Sequence, residues 1–239
     1  MKQIWILTKR ELRSFFDSLL AYIILVIFLL FTGTFTWLVG SDIFMRNEAS
    51  LQVFFIYSYW TLFFFIPALT MRTIAEENRL GTMEMLLTKP LNYWQFIIGK
   101  FLATMLLIAV ALAFTLPYYI TVANIGPIDH GTVWTGYLGL LLMSATYTSI
   151  GIFSSSLSNN QIVAFLIALT IGIFFHWLFG IFAGVFSGFL ASLSDYLSLS
   201  THFESISRGV IDTKDIIYFL SLIFVGLIST NVVLERKYS

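Results

Sequence analysis

Three consecutive serines, Ser154, Ser155 and Ser156, and one histidine set in an apolar run, His176, are the residues with which this chain would attack a bond. A serine nucleophile needs a base within hydrogen-bond reach. The serines close the run Val133 to Leu157, whereas His176 lies fourteen residues beyond Ile162 in the next run. At 1.5 Å per helical residue that places the histidine about 20 Å deeper, too far for a dyad. Phosphate chemistry fails too. A phosphate-cradling loop needs Gly-rich backbone followed by Lys and Ser or Thr, and the nearest approach, Gly99, Lys100, Phe101, lacks the hydroxyl. The chain has no Cys, and no Met or His cluster suited to metal handling. No catalytic residue, cofactor, metal or nucleic-acid partner is therefore expected. His176 keeps two readings: a functional intramembrane polar site, or a neutral imidazole bonded to a Ser or Thr of a neighbouring span.

Whatever work the chain does must enter through its elements. With 58% hydrophobic, 18% aromatic and 11% charged residues, it lies far from a water-soluble domain, where about a quarter of residues are charged. A hydrocarbon core about 30 Å thick needs roughly 20 apolar residues of helix. Six stretches free of Lys, Arg, Asp and Glu supply them: Ser18 to Val39, Leu51 to Met71, Phe101 to Ala123, Val133 to Leu157, Ile162 to Phe186 and Ile216 to Leu234. Continuous runs, with no alternation over about ten residues, exclude a barrel. The fold class is an all-α polytopic membrane protein of six spans, one domain over residues 1–239.

Basic residues set the orientation. With the N-terminus inside, Lys2, Lys9, Arg10, Arg13, Arg72, Arg79, Lys89, Lys100, Arg236 and Lys237 are cytoplasmic, against Arg46, Arg208 and Lys214 outside. Both termini are thus expected in the cytoplasm. Residues 1–17 form an interfacial helix, with Ile4, Trp5, Leu12, Phe15 and Phe16 on its lipid side and Lys9, Arg10, Arg13 and Asp17 on the other. It serves either as an anchor for the first span or as a partner contact.

Residues 72–100 carry the most information. Leu80, Met83, Leu86 and Leu87 share one stripe, so a short amphipathic helix is expected over Leu80 to Thr88, ended by Pro90. Asn92 with Gln95 then makes a capping box for the next helix, with Tyr93 and Trp94 at headgroup depth. The run Glu77, Arg79, Gly81, Thr82, Glu84, Leu86, Leu87, Pro90 resembles the loop signature that follows the second span of ABC-2 type transporter permeases. That resemblance implies a coupling helix docking on a separate cytoplasmic ABC ATPase, which binds the ATP. It makes Glu77, Arg79, Gly81, Thr82, Met83, Glu84, Leu86 and Leu87 the expected contacts. It also implies a bacterial inner-membrane location, with a second permease copy or a related membrane subunit bearing an extracytoplasmic domain, and lipid around both.

Residues 187–215 are too mixed for a span. Thr201 with Glu204 reads as a capping box opening a helix that Gly209 closes, and the family resemblance implies a helical pair dipping into the outer leaflet. It either caps the domain or shapes an exit. Pro67 and Pro117 interrupt spans two and three; Pro67 is a candidate hinge or a static kink. Gly180 and Gly184 permit a close helix contact, in keeping with a dimer seam on spans two and five. The stretches NYWQFIIGKF, HFESISRGVID and NVVLERK most resemble the gliding-motility-associated permease. A copper-site maturation permease and a mechanical transmitter that moves an extracytoplasmic partner without solute remain as alternatives. The spans hold no acidic residue, which disfavours proton or sodium coupling.

Overall fold

A computed structural model of the chain describes residues 2–39, 49–83 and 92–238, and all regular structure among these is helical. Five helical stretches are long and apolar enough to cross a membrane: Gln52–Leu80, Tyr93–Ile125, His130–Leu157, Gln161–Val185 and Thr213–Tyr238. The N-terminal pair makes a sixth only when its two helices are counted together as one span. Helix α1 (Lys2–Asp17) bends by 73° into α2 (Leu19–Trp37), and Ser18 Oγ turns back to the Phe15 carbonyl at 2.8 Å to close the first of them.

Helix α3 (Gln52–Thr70) passes through Pro67 without ending, since Met71 N still bonds the Pro67 carbonyl at 2.9 Å. One turn later α4 (Ala75–Leu80) continues the same stretch. The third span starts earlier than its apolar run, at Tyr93, because Asn92 and Gln95 form the expected capping box. It comprises α5 (Tyr93–Ala113) and α6 (Leu116–Ile125), broken where Pro117 takes up the start of α6 as the sequence suggests.

Helix α7 (His130–Leu157) is the central post, with 78% of its span window buried against 22% for Gln161–Val185 and 28% for Thr213–Tyr238. Small residues allow this. A Cβ on Gly151 would overlap Thr70 Oγ1, so only glycine lets α3 cross here. Two hydroxyls of α7 are satisfied along the helix, Ser149 on the Thr146 carbonyl and Ser154 on the Ile150 carbonyl, both at 2.8 Å. Around α7 packs a core of Phe54, Phe63 and Ile66 from α3, Leu107 and Ile108 from α5, and Tyr137, Met143 and Tyr147 from α7 itself.

The fifth span is α8 (Gln161–Ile173), a π-helical turn (Phe174–Leu178) and α9 (Phe179–Val185). Two short helices follow, α10 (Phe189–Leu197) and α11 (Leu199–Ser207), then α12 (Thr213–Tyr238). The Thr201–Glu204 capping box is not formed. Thr201 bonds Asp195 Oδ1 at 2.9 Å and Glu204 pairs with Arg208, because α11 already begins at Leu199 behind Ser198. Gly209 closes that helix with φ of 95°. Both termini share one end of the molecule: Tyr238 Oη donates to Asn78 Oδ1 at 2.6 Å, and Thr8 Oγ1 reaches the Gly99 carbonyl at 3.3 Å.

Candidate functional site

At the end bearing the termini, three helices, α1, α4 and α5, meet on one cation. Lys100, on the second turn of α5, is 2% exposed, and its Nζ lies 3.0 Å from Glu77 Oε1 and 3.2 Å from Glu11 Oε2. Its ammonium also stands 4.9 Å from the Phe96 ring centroid. Arg10 adds a second cation, 2.6 Å from Glu11 and 3.6 Å from Glu77. Lys100, one of the basic residues assigned to the cytoplasmic side, is nonetheless buried, because the helix of span three begins seven residues before it and turns its side chain inward under α1.

Helix α4 is fixed to the central post by a residue first weighed as a nucleophile. Ser155 Oγ accepts from Ile74 N at 3.0 Å and Ala75 N at 2.9 Å, and donates to the Met71 carbonyl at 2.9 Å. Those amides open α4 and have no helical partner of their own. Ser155 is thus a clamp on the turn between α3 and α4. Neither Ser154 nor Ser156 meets His176: Ser154 bonds Ile150 and Ser156 bonds Phe153.

Leu80 was expected to open the amphipathic helix, and it instead ends α4. Gly81 follows in the left-handed region at φ 67°, a conformation that breaks the stripe between Leu80 and Met83. Leu80 is 62% exposed while Met83 is 1% exposed, packed with Leu7, Ile74, Phe96, Ile97, Ile152 and Leu234. Met83 therefore faces the chain's own interior, and Glu77 is engaged by Lys100. Arg79, Leu80 and Gly81 are exposed, and Thr82 is half-buried with its hydroxyl on the Glu77 carbonyl at 3.4 Å. Glu84, Leu86 and Leu87, together with Pro90, lie outside the described residues. Beside α4 opens a cleft of about 750 Å³, with Arg10, Arg72 and Lys100 set against Glu11, Asp17, Glu76 and Glu77.

His176 occupies the π-helical turn and is 2% exposed. Its Nδ1 pairs with Tyr147 Oη at 2.5 Å, so the expected Ser or Thr partner is a tyrosine on α7. Its ring is sandwiched between Tyr59 (4.1 Å, 19°) and Phe63 (4.4 Å, 28°) of α3, and Phe203 of α11 stacks on the far face of Tyr59 (4.7 Å, 23°). Four rings thus tie the fifth span and the outer hairpin to span two. Next to the stack lies a cavity of about 400 Å³, walled by Phe55, Ile56, Tyr59 and Trp60 of α3, His176 and Trp177 of the π-turn, and Ser200, Phe203, Glu204 and Ser207 of α11, with Gln52 and Arg208 at its rim.

Sequence reasoning missed a second buried pair. His202 Nδ1 lies 2.7 Å from Asp215 Oδ1 and its Nε2 lies 2.9 Å from the Tyr196 carbonyl, with Tyr218 stacked on the ring at 4.0 Å. This pins the outer hairpin to the first turn of α12. Gly180 approaches Ser198 and Ser200 of that hairpin, while Gly184 has no neighbour within contact among the described residues.

Residues 38–229 match a family described as ABC-2 family transporter protein. No curated protein matches the chain.

Proposed function

The chain belongs to the ABC-2 transporter family, membrane subunits of ABC transporters whose ATPase activity lies in a partner subunit, and from that premise we propose that force from the ATPase enters at α4 and Gly81 and acts on the cavity between spans two and five. One observation carries this reading. The stretch Gln52–Leu80 contains both the coupling end, held by Ser155 and Lys100, and the cavity wall, with Phe55, Tyr59 and Trp60. A displacement of α4 is thereby passed along one rod, with Pro67 at its inner third as the hinge candidate.

Arg79, Leu80, Gly81 and Thr82, with Glu84, Leu86 and Leu87, are the proposed ATPase contacts. Glu77 and Met83 hold the segment to the body of the chain. The termini lie on the cytoplasmic side of a bacterial inner membrane, by the distribution of basic residues. Two copies, or this chain and a related subunit, pair along spans two and five. Phe64 on α3 and Phe174 on the fifth span, exposed and not part of the cavity lining, supply uncovered surface for that seam. A solute-sized cavity at this place favours transport over a purely mechanical transmitter. The resemblance of NYWQFIIGKF, HFESISRGVID and NVVLERK makes gliding-motility-associated export the finer proposal.

Reconstitution with the ATPase that co-purifies tests it. Gly81→Pro should abolish stimulation of ATP hydrolysis by the membrane subunit while insertion is unchanged. Full stimulation in that variant would overturn the assignment.

A further inference from the structure

Most of the wall of the cavity described above is ring surface, Phe55, Tyr59, Trp60, Trp177 and Phe203 with Ile56 between them, and the α11 side adds the hydroxyls of Ser200 and Ser207. Trp60 and Trp177 remain 41% and 57% exposed, so their faces are open to an occupant. Its rim carries one carboxylate and one guanidinium, Glu204 and Arg208, 2.8 Å apart and 62% and 65% exposed. No other formal charge among the described residues lines it. An exposed pair one helical turn apart contributes little to stability, so an occupant can part it at small cost. A ligand of one sign is attracted by one member and repelled by the other, so the pair offers it no net gain. A ligand bearing both signs is attracted by both.

Deeper in, His176 closes the wall, its Nδ1 committed to Tyr147 and its ring packed edge-on against Trp60 at 4.6 Å and 70°.

We infer that this cavity binds a zwitterionic amphiphile, its ammonium on Glu204, its phosphate on Arg208 and its apolar body along Trp60 and Trp177. The inference rests on the transport reading for its consequence, since the ligand would be what the two spans move or what regulates them. Its binding chemistry stands on the cavity alone.

The test uses the chain with its ATPase in dodecyl maltoside micelles, without nucleotide, and a phosphatidylethanolamine carrying a diazirine in its acyl chain. Light-induced labelling should fall on the segments holding Trp60 and Trp177. Unlabelled phosphatidylethanolamine should compete, and added phosphatidylglycerol should not. Glu204→Gln leaves Arg208 alone and should shift competition toward phosphatidylglycerol by about fivefold, while Arg208→Gln should weaken labelling by a similar factor. Both positions are exposed, so folding is not at stake. Labelling elsewhere only, equal competition by the two lipids, or no effect of either substitution would overturn the inference. Competition by tail-free phosphoethanolamine at the same concentration would also overturn it, making the ligand a soluble zwitterion. Because no ATP is present, these outcomes are independent of whether Gly81 couples hydrolysis.

Discussion

Lys100 Nζ and Glu77 Oε1 stand 3.0 Å apart, and this contact binds the start of span three to the helix that prolongs span two. Glu11 shares the same ammonium, so α1 belongs to the junction as well. Lys100→Met would leave two carboxylates side by side with only Arg10 to answer them. We expect a loss of about 3 kcal/mol at the junction, read as a lower thermal midpoint and earlier proteolysis of α1. Adding Glu11→Gln and Glu77→Gln should recover most of the loss, and failure of that rescue would mean Lys100 acts through packing alone.

Ser155 serves two amides and one carbonyl of the α3–α4 turn. Ser155→Ala should cost about 2 kcal/mol through those unpaired groups, with faster amide exchange at Ile74 and Ala75. Unchanged exchange at both would refute the clamp.

Gly81 adopts φ of 67° with nothing near its missing side chain, so the cost of substitution there is conformational and not steric. Gly81→Ala should destabilise by about 1 kcal/mol and Gly81→Asn by less. Stimulation of the partner's ATPase should follow the order Gly, Asn, Ala, Pro.

Tyr147→Phe keeps the ring packed against Phe63 yet removes the partner of His176 Nδ1. About 1.5 kcal/mol of stability should be lost. His176→Phe preserves the stack and should rescue Tyr147→Phe in a double-mutant comparison of unfolding midpoints.

Asp129 caps α7, accepting from Thr132 Oγ1, Gly131 N and Thr132 N, and these bonds, the Thr132 hydroxyl foremost, hold its carboxyl below the usual carboxylate range. A depressed carboxylate stabilises above its unfolded pKa and stops doing so as pH falls through the folded value. Fraying of the first turn of α7, followed by exchange at Gly131 and Thr132, should therefore increase only below about pH 4, and Asp129→Asn should remove most of that pH dependence.

Periodicity and length made the spans legible, since a run of about twenty apolar residues free of charge has few other fates. Asn92, Pro117 and Gly209 were readable because a cap, a break or a left-handed turn is a local property of the chain. Lys100, Glu11 and Ser155 were not. Ser155 bonds Ile74 across 81 positions and Lys100 reaches Glu11 across 89, so no window of sequence holds both partners. Leu80 and Met83 looked like one stripe because a hydrophobic pattern carries no record of the glycine between them leaving the helical region. The partner of His176 was misjudged for a related reason: the π-turn rotates the ring toward α7, and apolar spacing does not register such a turn.

The fourth span spends most of its surface inside its own chain, its large exposed side chains being Trp134, Leu138 and Leu157. Growth of any larger assembly therefore proceeds mainly through the uncovered sides of its neighbours. A spin label or fluorophore buried along it would sit on the least displaced axis of the molecule, giving a fixed origin from which the travel of every other helix is measured.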